Sequence, residues 1–209
     1  MGIWLIYYGI ANANLDAYLD WFEGQHTDEK LARPGYDWAS HHQVVSGGMS
    51  DHADYEFIAM FGAATSRVFY DPSPAQIKPN QDELTRTMID HRVKPVSVIM
   101  TREWSEQPAN AVKGNSKSVP SPAETPYIRL ALFDAAVDDQ ETAAWCAQTH
   151  LPAIAKSQQL IAGHKFISSF GVNRHIVLEQ YSEQPESSAA WNEINHSCLL
   201  TDPLVAKLR

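Results

Sequence analysis

The chain has 209 residues, 44% apolar and 20% charged, with a net charge of −9. That balance suits a folded globular protein and argues against disorder. The excess of acid, with no Lys/Arg cluster, leaves no positive footprint for nucleic acid or an anionic membrane surface.

A strand is expected at about residues 3–8. A helix follows from about Asn14, a suitable N-cap, because Leu15, Tyr18, Leu19 and Phe22 recur at helical spacing. Pro34-Gly35 ends this region. Residues 37–45 read as a strand, Gly47-Gly48 as a turn and 55–61 as the return strand. After a Pro-rich connection at 70–74, Asn80 and Glu83 form a capping-box pattern. Leu84, Met88 and His91 share a face of the helix that follows. Pro95 stops that helix, and 96–101 alternate as a last strand. The order is β-α-β-β-α-β.

Residues 105–126 are rich in Pro, Ser, Asn and Ala, without apolar periodicity, and read as a linker between units at 1–104 and 127–209. The second unit opens with a strand at 127–133. Asp138 and Glu141 then cap a helix that runs to about Lys156. Strands at 164–170 and 175–181 flank a turn at Asn173-Arg174, and a helix spans about 185–200. A final strand is not expected. Asp202-Pro203 instead suggests a short terminal helix.

The two units repeat each other. Trp21 and Trp145 lie 124 positions apart, as do His26 and His150, so each first helix carries Trp-x4-His. A weaker echo sets Ile89-Asp90-His91 against Ile194-Asn195-His196. The fold expected is α+β: two tandem ferredoxin-like βαββαβ modules, the second without its last strand.

Tyr18-Leu19-Asp20-Trp21-Phe22-Glu23-Gly24-Gln25-His26, with Ala32-Arg33-Pro34-Gly35-Tyr36, resembles the helix-His-Pro-Gly signature of EthD-like proteins of the dimeric α/β-barrel superfamily. Trp145-Cys146-Ala147-Gln148-Thr149-His150-Leu151-Pro152 resembles the same signature, with the His-Leu-Pro that the first unit lacks. The likeness covers about residues 3–104 and 127–209. It implies two four-stranded sheets packed as a barrel, here within one chain, and an apolar pocket inside the barrel or between a sheet and its helices. Relatives include isomerases, cyclases, monooxygenases and haem-dependent enzymes, so the fold does not fix the reaction.

His26 leads the candidates for chemistry, because imidazole titrates near neutrality and the resemblance places it facing the pocket. His150 is its repeat equivalent. His41 and His42 sit in a strand that sends one to each face, so one of them is expected to meet His26. His91 follows from its helical face, and His196 ranks below it. Against each stands a structural role: capping, or a satisfied core histidine. Cys146 is a minor candidate nucleophile, and Cys146 and Cys198 alone make no disulfide framework. No metal-ligand spacing, nucleotide motif or haem-attachment motif occurs.

The expected function is a cofactor-independent isomerase, cyclase or lyase acting on an apolar or aromatic small molecule, with a pocket His as general acid/base. A non-catalytic ligand-binding module and a haem- or iron-dependent monooxygenase are the alternatives. The chain shows neither a basic leader nor a stretch near the roughly 20 apolar residues of a membrane span. A cytoplasmic protein is therefore expected, with homodimerisation left open.

Overall fold

The computed structural model describes residues 1–49, 53–108, 119–135, 138–186, 191 and 202–209. Eight antiparallel strands run as β1 (Gly2–Ile10), β2 (Trp38–Ser46), β3 (Tyr55–Ala63), β4 (Arg92–Glu106), β5 (Tyr127–Phe133), β6 (Leu160–Phe170), β7 (His175–Tyr181) and β8 (Leu204–Leu208). Their order is β1-β3-β2-β8-β5-β7-β6-β4, and β4 pairs back onto β1 to close a barrel. Within each half the order is the same: β4-β1-β3-β2, then β8-β5-β7-β6. Closure leaves no strand edge open to another chain.

β1, β3 and β7 are buried on both faces, and alternation sorts the two sets of side chains. In β1, Ile3, Leu5 and Tyr7 join Leu130, Phe166 and Leu178 in the barrel interior. Trp4, Ile6, Tyr8 and Ile10 face outward, onto the first helix. This explains why β1 reads as a continuous apolar run.

The first helix of each half is interrupted in the same way. α1 (Leu15–Trp21) passes through a π turn at Phe22–His26 into α2 (Thr27–Leu31). In the second half α5 (Asp139–Trp145) passes through a π turn at Cys146–His150 into α6 (Leu151–Ile154). The segment between carries α3 (Pro74–Ile77) and α4 (Glu83–Asp90). The π turn gives Trp-x4-His its meaning. Five residues along a regular α-helix are rotated by about 140°, so the two rings could not meet. The wider turn brings them together, with ring centroids 4.2 Å apart for Trp21–His26 and 4.8 Å for Trp145–His150.

Several expectations need correction. The second half does have its last strand: β8, in place of a terminal helix, lies between β5 and β2. Its five residues carry too short an alternation to stand out, yet Leu204 and Ala206 fill the interior. Pro95 does not stop a helix. It lies inside β4 at a bulge opposite β1, beside Lys94 with φ of 44°, the kind of place a strand tolerates proline. The cap of α4 is Asp82, whose carboxylate accepts the Thr85 N–H, and not Asn80, which ends a 3-10 turn. Leu84 lies on the exposed side of that helix. β4 runs to Glu106, two residues into the expected linker. Most of the helix expected over 185–200, with His196 and Cys198, lies outside the described residues.

The interior is not wholly apolar. His42 and His164 point into it by alternation, and His164 bridges Gln180 (2.6 Å) and Ser105 (3.0 Å). Burial depresses His42 to about 3 and His164 to about 4. The unfolded chain protonates these rings near pH 6.5. Both contributions are therefore intact above that pH and are lost as pH falls below it, by about 1.4 kcal/mol per unit and ring. Of the stability that urea unfolding shows to be lost between pH 7.5 and 5.5, these two rings should account for about 3 kcal/mol. Equal stability at both would mean that these rings are solvated.

Candidate functional site

The outer layer of the first half holds a cavity of about 600 Å³. α2 forms one wall. The connection from β3 to α4 forms the other, through Val68, Pro72, Gln76 and Ile77. A lobe of about 210 Å³ shares His26, Lys30, Ile77 and Gln81 with it and reaches Trp4, Phe61 and Arg92 on the sheet. The cavity thus lies between sheet and helices and not inside the barrel.

His26 lines both spaces and is 3% exposed. Trp21 and Phe22 pack on its ring. Its Nδ1 is buried without a hydrogen-bond partner, which leaves Nε2 to meet a ligand. Burial, with the positive charges of Lys30, Arg92 and Arg33, lowers its pKa to about 2. The ring is therefore neutral throughout the useful pH range.

Lys30, one helical turn further, is the residue that sequence reasoning missed. It is 3% exposed and lines both spaces. Its Nζ sits 4.7 Å from the Trp4 ring and 5.9 Å from that of Phe61. Among the described residues no carboxylate comes within ion-pair distance of it; its charged form is supported by the ring faces and by the more distant charge of Glu29. Burial, with Arg33 and Arg92 nearby, lowers its pKa to about 7. A signal existed in the sequence: Phe22, His26 and Lys30 continue one stripe at intervals of four, and a lysine on a buried stripe is anomalous.

The other expected residues fall elsewhere. His41 does face the helix layer, but Phe22 stands between it and the cavity, packing on both His26 and His41. Glu23 accepts from His41 Nδ1 at 3.3 Å, which leaves Nε2 to accept the Tyr8 hydroxyl at 2.9 Å. Hydrogen bonding to His41, with Arg209, holds Glu23 at about 2. The Tyr8 ring packs edge-on against Tyr18, whose hydroxyl accepts from Arg92 Nε at 2.7 Å. His42 points into the barrel. His91 is a half-buried cap of α4 and lines neither space. The strand thus splits His41 from His42 as expected, but brings neither to His26.

In the second half the polarity is rearranged. His150 is fully buried, and its Nε2 meets Glu179 at 2.8 Å. Glu179 also takes Arg129 at 3.1 Å, the Trp191 indole N–H at 3.1 Å and the Tyr181 hydroxyl. Burial pushes its carboxyl up, but His150, Arg129 and Tyr181 overcome that and leave it below its ordinary value. Arg129 and Glu179 are a cross-strand pair on the outer face, as Trp4 and Phe61 are in the first half. At the same offset of 124 that relates the histidines, Lys30 corresponds to Ile154. The first half sets its cation on the helix over an apolar sheet; the second sets an ion pair on the sheet beneath an apolar helix. Burial raises the Cys146 thiol to about 12, which argues against a nucleophilic thiolate there.

Haem is a group some proteins of this architecture use, so the histidines must be tested against it. A ligating histidine usually donates its other N–H to an acceptor. His26 has the space but no such acceptor on Nδ1. His150 has the acceptor, Glu179, but its free Nδ1 is buried and its ring is held between Trp145 and Trp191. Neither fits. Among the described residues no cluster of three or more His, Cys, Asp or Glu is disposed to hold a metal ion, and no helix is long and apolar enough to cross a membrane.

The two buried charge sites should respond to mutation with opposite sign. Lys30→Met removes an unpaired buried charge at similar volume and should stabilise the protein at pH 7 by about 1–4 kcal/mol, read as a higher urea midpoint with unchanged slope. Glu179→Gln strands Arg129 and should cost about 3–5 kcal/mol. A destabilised Lys30→Met protein would mean that the amine is part of the fold's support.

No family model matches the sequence, and no curated protein does. Solved structures do match. An anthrone oxidase-like protein superposes with a TM-score of 0.59 at 9% identity, covering 100% of this chain and 91% of that one. A proposed monooxygenase of Fusobacterium nucleatum subsp. nucleatum gives 0.60 at 8% identity, covering 99% and 92%. A proposed chlorite dismutase gives 0.56 at 14% identity, covering 100% and 96%. Identities this low speak for architecture and not for activity. What the chain shares with these structures is its fold, a closed eight-stranded antiparallel barrel with helices outside it.

Proposed function

We propose that the chain is a small-molecule enzyme that transfers a proton on an apolar or aromatic carbonyl metabolite, with no bound cofactor, in the cavity between α2 and the β3–α4 connection. One observation carries this reading: Lys30, a buried amine without a carboxylate partner, opens onto that cavity one turn from a neutral His26. An unpaired buried charge is expensive, and a structure of similar shape could be built without it. Its retention is understandable where the amine serves a ligand.

The pKa values assign the roles. A general base works best near the ambient pH, and lysines are tuned down to about 7–8 for this by burial and neighbouring charge. Lys30 meets that condition; His26, held at about 2, does not. Lys30 therefore takes the proton. His26 acts as a neutral hydrogen-bonding group that orients the substrate oxygen. The aromatic walls, Trp4, Phe61 and Tyr36, suit a flat apolar substrate. An anthrone, the ketone in the name of one structural neighbour, belongs to this chemical class. The reaction class is an isomerisation, cyclisation or related step that begins with loss of a proton beside a carbonyl. We also read the halves as tandem ferredoxin-like modules, in support of which stand their shared strand order and their paired π turns.

Proton transfer can be tested without knowing the natural substrate. A panel of aromatic ketones and 1,3-diketones in D2O should show protein-accelerated exchange beside the carbonyl, followed by NMR. Lys30→Met should lose about 10²-fold of the rate on any ligand so processed, and His26→Gln less. Binding of panel members without accelerated exchange of any would favour a non-catalytic binding module instead.

A further inference from the structure

Buried cations elsewhere in this protein are matched. Lys165, fully buried, donates to Glu103 at 2.8 Å and to the Phe166 carbonyl at 2.6 Å. Arg129 meets Glu179. Lys30 is equally buried and has ring faces beneath it and open cavity before it. Arg92, in the smaller lobe, keeps one buried guanidinium nitrogen, Nη2, without a partner, and Arg33 lines the larger space. The site therefore presents an amine with no ion-pair partner among the described residues, beside Arg92 and Arg33, in a cavity whose lining also includes Glu29, Asp71 and Asp82.

We propose that Lys30 is a covalent nucleophile, whose Nζ captures the carbonyl carbon of an aldehyde or ketone that also carries an anionic group, holding it as an iminium. This deepens the function proposed above and rests on the same cavity being the substrate site. The unprotonated amine adds to the carbonyl carbon. A C–N bond forms as the C=O π pair moves to oxygen, and that oxygen takes up the proton that nitrogen releases. A second proton on the oxygen lets it leave as water while the nitrogen lone pair forms the C=N bond. In sum, an ammonium and a carbonyl become an iminium and one water, with no oxidant or reductant. His26, uncharged and one turn away, is placed to hold the carbonyl oxygen by a hydrogen bond while the proton moves from nitrogen to oxygen within the adduct. An amine that is half unprotonated near pH 7 is available to attack, where an ordinary lysine is not. The positive charge of the iminium stays over the Trp4 ring, where the ammonium was. An anionic group on the substrate would meet Arg92 Nη2, the buried guanidinium nitrogen that has no hydrogen-bond partner.

The test uses the full chain at pH 7 with sodium cyanoborohydride and two probes, 4-carboxybenzaldehyde and its neutral analogue 4-methylbenzaldehyde. Hydride reduction fixes any iminium as a stable amine, read by intact mass and peptide mapping. The expected result is a single early adduct on Lys30, forming at least about tenfold faster than on any other lysine and faster with the carboxylated probe. Mapping on the wild-type protein makes the result independent of how a Lys30 variant folds. Labelling spread evenly over the lysines would overturn the proposal. So would an unlabelled Lys30 in a protein that still accelerates deuterium exchange, which would leave it a non-covalent base. Absence of both labelling and exchange would remove the site itself. Equal rates for the two probes would overturn the anionic requirement.

Discussion

Closure of the barrel governs everything else in this molecule. Strands β1, β3 and β7 are buried on both faces, so each needs a packed layer inside and another outside. The inside is supplied by the strands themselves, through side chains such as Leu5, Met60 and Leu130. That works only because β8 bonds to both β2 and β5, and β4 bonds to β6, so that one chain makes both seams. With the interior filled, room for a ligand is left in the outer layer, where helices rest on the sheet.

In that layer the halves differ in charge while sharing their geometry. Each places a histidine against a tryptophan through a π turn, next to a cross-strand pair on the sheet. In the second half the pair is Arg129–Glu179, and His150 is absorbed into a closed network with Tyr181 and Trp191. In the first half the pair is Trp4–Phe61, and the charge sits on Lys30 with no ion-pair partner among the described residues. A satisfied network rigidifies; an unsatisfied one facing a cavity is available to something else. This contrast is why we propose the first half, and not the second, as the reactive one.

Much of the fold was legible because its elements carry strong local signals. β5 and β7 fall where their apolar runs lie, and Asp138 caps α5 as its position suggests, accepting from the Gln140 and Glu141 N–H groups. The Trp-x4-His spacing located the important turn, though periodicity gave no hint of its π geometry. β8 was hidden because a five-residue strand owes its place to partners distant in sequence. The site was only partly legible. His26 was found, but its depressed pKa comes from burial and from cations that the fold assembles from α2 and β4. Arg129 and Glu179 share a clue, each being a lone charge in an apolar strand, whereas Lys30 stands in the charged run Asp28-Glu29-Lys30 and is marked only by its spacing from Phe22 and His26. Such a residue is either matched across space or reserved for a ligand, and the sequence does not distinguish the two.

The π turns carry an implication for register. A helix with one extra residue in a turn is out of phase with itself, so its apolar stripe before Trp21 is offset from the stripe after His26. Point substitutions cannot restore the phase. A deletion of one residue would, and it would swing His26 and Lys30 away from the sheet together. The register of Lys30 against the sheet is thus set by the number of residues in the turn before it.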